Sequence, residues 1–340
     1  MRKRIAPMLI GLTAALALAS GCASQGGSEV PEGKVSVVTS FFPLYDFAKT
    51  IGGEHVHVVN LIPTGVEPHD WTPKSQDMAT ISKAQVFAYQ GAGFEGWTDD
   101  VLGGIDADGL VIVEASEGIS LMEASAEEAE HAHEDEEAHA DEAHAEDAHA
   151  DEAHAEEAHA EEGHDHGAYD PHTWLSPRSA LQMAENVLDG LKQADPAHAA
   201  DFEANYETLK AELEALNVAY TEKLSAVSNK EMVVSHQAFG YLARDYGLVQ
   251  MPIMGISPEG EPTAQDLKEI SEFVTEHGVK YIFTEELVSD RLAKTLASDL
   301  GVQTLPLHPL EGLTEAEMQA GETYVSLMEK NLEQLVTALQ

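Results

Sequence analysis

Residues 195–228 read DPAHAADFEANYETLKAELEALNVAYTEKLSAVS. Phe202, Tyr206, Leu209, Leu213, Leu216, Tyr220, Leu224 and Val227 follow in steps of three and four, which puts them on one face of an α-helix. Asp195 suits an N-cap, and Pro196 suits the first helical position, where its missing N–H costs nothing. One apolar stripe over about 30 residues predicts a continuous helix of about 45 Å. Such a helix is a stiff connector, unlike a loop hinge.

Short apolar runs flank it on both sides. Before it, residues 35–38, 55–62, 85–89 and 110–113 read as strands, and residues 43–51 as a helix. After it, residues 232–235, 248–253, 279–284 and 304–307 read as strands, with helices over 237–246, 263–277 and 290–300 between them. Strands alternating with helices point to mostly parallel sheets. The expected fold class is α/β: two similar α/β lobes joined by one long rigid helix. The bounds are an N-terminal lobe at 34–194, a connecting helix at 195–228 and a C-terminal lobe at 229–340.

The 340 residues carry 61 acidic and 18 basic side chains, a formal net charge of −43. A surface of that sign repels phosphate backbones, so nucleic acid is excluded as a partner, as is docking on anionic lipid through basic patches. The charge is uneven. Residues 123–166 hold 19 of the acids and no Lys or Arg. From Glu136 the chain repeats acid-acid-Ala-His-Ala, bringing His139, His144, His149, His154 and His159 at five-residue intervals, with His131, His133, His164 and His166 at the flanks. With almost nothing apolar larger than alanine, the stretch cannot offset its ordering entropy by burial. It reads as a disordered insertion, 123–167, at the rim of the first lobe. Five residues advance a helix by 500°, so successive histidines lie about 140° apart and cannot chelate one ion on a regular helix. Weak metal capture by unwound chain, with His164 and His166 as the closest pair, stands against a soluble spacer.

One cysteine excludes intramolecular disulfides and cysteine-based zinc sites. Its setting gives it another use. Arg2, Lys3 and Arg4 precede an apolar run from 8 to 19, too short for a permanent membrane span, and Ala19, Ser20 and Gly21 lead into Cys22. This resembles a bacterial lipoprotein signal, 1–21, with Cys22 as the lipidated residue; Ala19 stands where that pattern prefers Leu. Residues 22–33 then form a flexible tether, and the mature protein lies outside the cytoplasmic membrane, anchored by lipid.

Open α/β sheets bind ligands beyond the carboxyl ends of their strands. The polar residues at those exits are therefore the candidate site. Strand 55–62 leads to Gly65-Val66-Glu67-Pro68-His69-Asp70-Trp71, and the insertion ends in Tyr169-Asp170-Pro171-His172-Thr173-Trp174. Strand 232–235 runs into His236, and strand 304–307 into His308-Pro309-Leu310-Glu311. Neutral imidazoles and one carboxylate suit a borderline divalent ion such as zinc in tetrahedral geometry. Glu285, at the end of strand 279–284, competes with Glu311 for the carboxylate role. His308 is open to a supporting role, and either Asp70 or Glu67 is placed to accept a bond from a ligand imidazole. His55, His57, His198 and His277 carry no motif and read as surface residues. Trp71, Trp97 and Trp174 read as packing, with a wall over the site as the alternative.

These motifs resemble the metal-binding solute receptors of bacterial ABC importers, in particular the zinc group of Gram-positive bacteria. The resemblance rests on Glu-Pro-His-Asp-aromatic at 67–71, Asp-Pro-His-x-Trp-Leu at 170–175, Ser-His-x-Ala-Phe-x-Tyr at 235–241, Gly-Ile-Ser-Pro-x-x-Glu-Pro at 255–262 and Pro-Leu-Glu-x-Leu-Thr at 309–314. It covers about residues 34–340. It implies that His69, His172, His236 and Glu311 bind Zn2+ in the cleft between the lobes, and that the ion passes to the permease of an ABC importer. It also implies a monomer. Manganese and iron members carry a carboxylate where this chain has His236, which favours zinc. The acidic, His-rich insertion resembles a loop of the zinc members.

Two other classes compete. A zinc hydrolase needs three protein ligands and an open water position, whereas here a fourth ligand fills it, and no Ser-His-Asp or Gly-x-Ser-x-Gly arrangement is present. A zinc-buffering lipoprotein or adhesin would rely on the insertion and leave the cleft idle.

Overall fold

A computed structural model of the chain describes residues 30–124 and 168–340. The signal, residues 22–29 of the tether with Cys22, and residues 125–167 of the insertion, with its nine histidines, lie outside the described residues.

The first lobe is built on β1 (Val35–Thr39), β2 (Val56–Asn60), β3 (Val86–Tyr89) and β4 (Val111–Glu114), all parallel, in the order β2-β1-β3-β4. Helices α1 (Phe42–Gly52), α2 (Ser75–Ile81) and α3 (Thr98–Gly104) make its crossovers. A two-residue antiparallel pair, β5 (Met122–Glu123) with β6 (Tyr169–Asp170), closes the base of the insertion, and Ala124 N–H donates to Ala168 O at 2.9 Å. The two ends of residues 125–167 therefore return to one point on this lobe.

Helix α4 (Pro177–Ala194) follows, a helix not anticipated from the sequence although its start is legible: Ser176 Oγ accepts from Arg178 N, and Pro177 sits at the first turn. The connector then departs from expectation in one detail. Asp195 caps a single 3-10 turn, Pro196–His198, through Ala197 N, and the α-helix proper, α5, spans Ala199–Ser225. Pro196 does start the rise, but the chain tightens before it settles into α geometry, as helix ends commonly do.

The second lobe repeats the first. Its strands β7 (Glu231–His236), β8 (Val249–Met254), β9 (Tyr281–Thr284) and β10 (Gln303–Pro306) are parallel, in the order β10-β9-β7-β8. Read from the other edge this is second-first-third-fourth, the order of the first lobe. Helices α6 (Gly240–Tyr246), α7 (Ala264–His277), α8 (Arg291–Leu300), α9 (Glu315–Ala320) and α10 (Tyr324–Ala338) complete it. Helices α7, α9 and α10 begin with capping boxes at Thr263, Thr314 and Thr323.

The stripe read from the sequence is the seam between the lobes. Phe202, Tyr206, Leu209, Leu213, Leu216, Tyr220 and Leu224 are all buried, within one apolar cluster that runs from β1 and α1 to α10. Each such side chain contributes about 1.5–3 kcal/mol on burial. The Tyr220 hydroxyl donates to Met328 O at 2.7 Å, which satisfies its polar end inside the core. The two lobes thus share a core rather than meeting across a wet cleft.

One glycine marks how tightly α4 lies on the first sheet. A Cβ on Gly190 would come 2.3 Å from Val113 Cγ2 on β4. Alanine in a helix normally stabilises by about 0.5–1 kcal/mol, but overpacking costs about 1–3 kcal/mol, so the clash wins. Gly190→Ala should lower the stability of the metal-free protein by about 1–2 kcal/mol. Denaturant unfolding followed by circular dichroism checks it, and an unchanged or raised midpoint would refute this packing.

Candidate metal centre

Each lobe sends two side chains from its strand exits to one point. His69 lies in the turn after β2, where the Glu67 carboxylate accepts from His69 N–H at 3.1 Å and Asp70 N–H at 3.3 Å. His172 follows β6. His236 is the last residue of β7, and Glu311 follows β10. The site sits beside the β7/β9 boundary, where strand order reverses, the position where open α/β sheets form crevices.

The donor atoms form a small polyhedron. Glu311 Oε1 lies 3.4 Å from His69 Nε2, 3.4 Å from His172 Nε2 and 3.2 Å from His236 Nε2. His172 Nε2 is 3.3 Å from His69 Nε2 and 3.4 Å from His236 Nε2. A tetrahedron of ligands at 2.0–2.1 Å from zinc has edges of about 3.3–3.4 Å. These five spacings are close to that edge. His172 and His236 are fully buried, Glu311 is 3% exposed, and the His69 side chain is 9% exposed. Glu311 Oε1 is buried without a hydrogen-bond partner, although three imidazole nitrogens surround it. The nitrogens crowd that oxygen without the alignment of a hydrogen bond, which is what a ring of lone pairs around a cation position requires.

The tautomers follow from the partners behind the rings. Asp170 Oδ1 accepts from both His172 N–H at 2.9 Å and His172 Nδ1 at 2.8 Å. Both oxygens of Glu285 lie 2.8–2.9 Å from His236 Nδ1. With Nδ1–H engaged, each Nε2 turns its lone pair to the centre, the arrangement in which a carboxylate orients a metal-binding imidazole. Charge favours a dication: one carboxylate is in the shell and two more stand behind it.

The metal-free equilibria respond to the same contacts. Burial pushes the His236 imidazole down, but the charges of Glu285 and Glu311 beside it and its bond to Glu285 override burial and hold it well above 6.5. Burial likewise opposes protonation of His172, and Asp170 and Glu311 outweigh it, raising its pKa. Burial would raise Glu311, but His236, His172 and His69 hold it well below the carboxylate range.

Supporting elements fix the loops. Gln90 Nε2 donates to Pro171 O at 3.0 Å and to Thr173 Oγ1 at 2.8 Å, on either side of His172. Phe94 stands edge-on to His69 with centroids 5.2 Å apart, and Trp174 lies 5.1 Å from His172. After β10 the chain turns at Leu310 with φ 58°, a conformation that costs an L-residue about 1–2 kcal/mol. His308 Nδ1 accepts from Leu310 N–H at 2.9 Å, and Asn331 bonds both His308 N–H and His308 O, at 2.8 and 2.7 Å. Trp174 Nε1 donates to Pro309 O at 2.7 Å from the other lobe.

The sequence readings divide accordingly. His69, His172, His236 and Glu311 come together as a group able to hold a metal ion. Glu285 is near, but as the partner of His236 Nδ1. Glu67 and Asp70 do not bond the His69 ring: the Glu67 oxygens take the backbone N–H groups of His69 and Asp70. With Glu259 they form a mostly exposed acidic trio. Asp170, in a quoted motif but given no role, supports His172. Its position two residues before a ligand was the available signal. His308 is buried rather than a ligand. His55 stacks on His198 at 3.9 Å, and His277 packs on Phe273, both away from the site. Trp71 and Trp97 pack on each other at 5.5 Å, whereas Trp174 both packs in the core and walls the site.

A family model described as "Zinc-uptake complex component A periplasmic" matches residues 37–338. The chain is 39% identical over 312 residues to "Zinc-binding protein AdcA" of Streptococcus pyogenes serotype M3, covering 92% of this chain and 57% of that protein. It therefore spans little more than half the length of such streptococcal relatives. It is 38% identical over 325 residues to "High-affinity zinc uptake system protein ZnuA" of Bacillus subtilis, covering 95% of this chain and 94% of that one. Its fold is similar to the crystal structure of the Zn(II)-bound ZnuA-like domain of Streptococcus pneumoniae AdcA, with a TM-score of 0.70 at 35% identity over 90% of this chain and 99% of that one.

The backing carboxylates generate a direct test. Asp170→Asn and Glu285→Gln each remove the charge that orients an imidazole, and each should weaken zinc by about 10–100-fold. Competition with a chelating dye measures this. Wild-type affinity in both variants would show that the carboxylates only satisfy buried N–H groups.

Proposed function

This chain belongs to the zinc-uptake complex component A family, and we propose that it is an extracytoplasmic receptor that captures Zn2+ between its lobes and delivers it to an ABC importer. The supporting observation is the polyhedron of one carboxylate oxygen and three imidazole nitrogens, spaced at zinc's tetrahedral edge, with two tautomers set from behind. His69, His172, His236 and Glu311 are the ligands in this reading.

Zinc is favoured over manganese because three of the four donors are nitrogens, and harder ions prefer oxygen. A receptor is favoured over a hydrolase because four protein donors leave no position for an activated water. The ion is cargo. The acidic trio at Glu67, Asp70 and Glu259 adds negative potential that draws dications toward the neighbouring His69. Lipidation at Cys22 would hold the receptor at the outer face of the membrane, beside the permease subunits that are its partners. The His-rich segment 123–167 would add weak capture sites. All four cleft ligands lie outside it and its ends are pinned together by β5 and β6, so the tight site does not need it.

Three outcomes follow from this reading. His236→Ala removes one of four donors and should weaken zinc by more than about 100-fold, beyond the range for a supporting residue. His236→Glu should move preference toward manganese. Titration calorimetry with each ion decides both, and unchanged binding by the alanine variant would refute the assignment.

The second outcome is a pH dependence with a defined sign. An imidazole must lose its Nε2 proton to bind metal, and His172 and His236 are raised in the metal-free site. Protons therefore compete above the ordinary histidine value. Zinc affinity should begin to fall as pH drops through a point above 6.5 and keep falling to pH 5. Affinity that stays level down to about 6.5 would contradict the raised values.

Third, deletion of residues 127–161 should leave one tight zinc and remove weaker zinc seen at excess metal. Equal stoichiometry in both proteins would make the segment a spacer.

A further inference from the structure

We propose that His308 and Asn331 are positioning residues for Glu311: together they hold the left-handed turn at Leu310 that aims the Glu311 carboxylate at the three imidazoles. The inference rests on the reading of Glu311 as a metal ligand.

Leu310 occupies a backbone conformation that favours glycine, with φ 58°. Glycine does not serve here because the leucine side chain is fully buried in the shared core. The position has to satisfy two demands, a leucine for packing and a left-handed backbone for aim. The backbone demand is met from outside the residue. Leu310 N–H donates to His308 Nδ1 at 2.9 Å, so the imidazole closes the turn as an acceptor. That fixes the proton on Nε2, which faces Glu317 Oε1 at 3.4 Å, at the first turn of α9. His308 is itself immobilised by Asn331 on α10, whose side chain accepts from His308 N–H and donates to His308 O. The carbonyl between them, Pro309 O, takes the indole N–H of Trp174.

Neither His308 nor Asn331 touches the donor polyhedron. Their bonds converge on the one turn between the last strand and Glu311. A strained backbone survives only where its surroundings over-determine it, and such sites cluster where geometry matters for function. Released from His308, Leu310 relaxes toward an ordinary backbone angle, and the next side chain swings with it. Glu311 Oε1 then leaves a site whose edges are 3.2–3.4 Å, where small displacements matter.

A double-mutant cycle tests this, with zinc affinity read by chelator competition and ligand geometry by the visible spectrum of the Co2+-loaded protein. His308→Leu should weaken zinc at least tenfold and shift the cobalt spectrum toward that of Glu311→Ala. Placed on Glu311→Ala, it should weaken zinc less than threefold further, because it acts only through the lost carboxylate. His308→Asn, which keeps an acceptor near the place of Nδ1, should stay within threefold of wild type. Asn331→Ala, a milder change should His308→Leu fail to fold, should follow the same cycle. Additive losses in the cycle, or a cobalt spectrum unchanged by His308→Leu, would overturn the proposal and leave these residues as core polar groups. Wild-type affinity in Glu311→Ala would instead overturn the ligand reading on which the proposal rests.

Discussion

In the proposed zinc site, four donor atoms carried by two separately built sheets must meet within a few tenths of an ångström, and the architecture suits that requirement. A metal shell tolerates little error in its edges, yet His69 and His172 belong to one lobe and His236 and Glu311 to the other. A flexible linker would leave such a shell half-assembled. Here the linker is a 27-residue helix whose apolar face is the centre of the core. Buried hydrogen bonds then cross between the lobes close to the ligands. Tyr241 donates to Asp170 O at 2.6 Å and Tyr324 to Trp174 O at 2.5 Å. Breaking any of these in a dry interior leaves polar groups unsatisfied, at about 1–3 kcal/mol each.

The buried polar groups at the centre are costly by themselves. A carboxylate without a hydrogen-bond partner and imidazoles with inward lone pairs are tolerated because protons or a dication can occupy the space they face. In the metal-free site the contacts with Glu311 raise His172 and His236 and lower Glu311. The elevated imidazoles and the depressed carboxylate are therefore two views of one coupled charge set, and a dication displaces protons from it. Preorganisation lowers the cost of ordering the shell at the moment of binding.

Much of this was legible in the sequence, for identifiable reasons. The stripe from Phe202 to Leu224 has a period that only a helix satisfies, and the strand exits at His69, His236 and Glu311 follow from short runs ending in polar residues. What escaped reading depends on distant contacts. Helix α10 was missed although Gly321, which ends α9, and the Thr323 cap both mark its start. Glu285 read as a rival ligand because sequence shows its strand exit but not which atom of His236 it faces. Asp170 and His308 owe their roles to one or two local bonds each, below the resolution of any periodicity. Glu67 and Asp70 were drawn toward His69 by adjacency, but the Glu67 oxygens take the backbone N–H groups of His69 and Asp70.

The Asp170 environment shows how lobe placement and metal binding become one quantity. A Cβ on Gly240, at the start of α6 in the second lobe, would lie 2.5 Å from Asp170 Oδ2 in the first. The second lobe thus comes directly against the carboxylate that orients His172, with only a missing methyl group making room. The same lobe holds the Asp170 carbonyl through Tyr241. His236 and Glu311 are carried by that second lobe, whereas Asp170 and His172 are carried by the first. In the proposed receptor, zinc affinity therefore depends on lobe position, and by linkage zinc biases lobe position with the same coupling free energy. In that reading, a permease that gripped both lobes would have in this coupling a means of loosening the ion without touching a ligand.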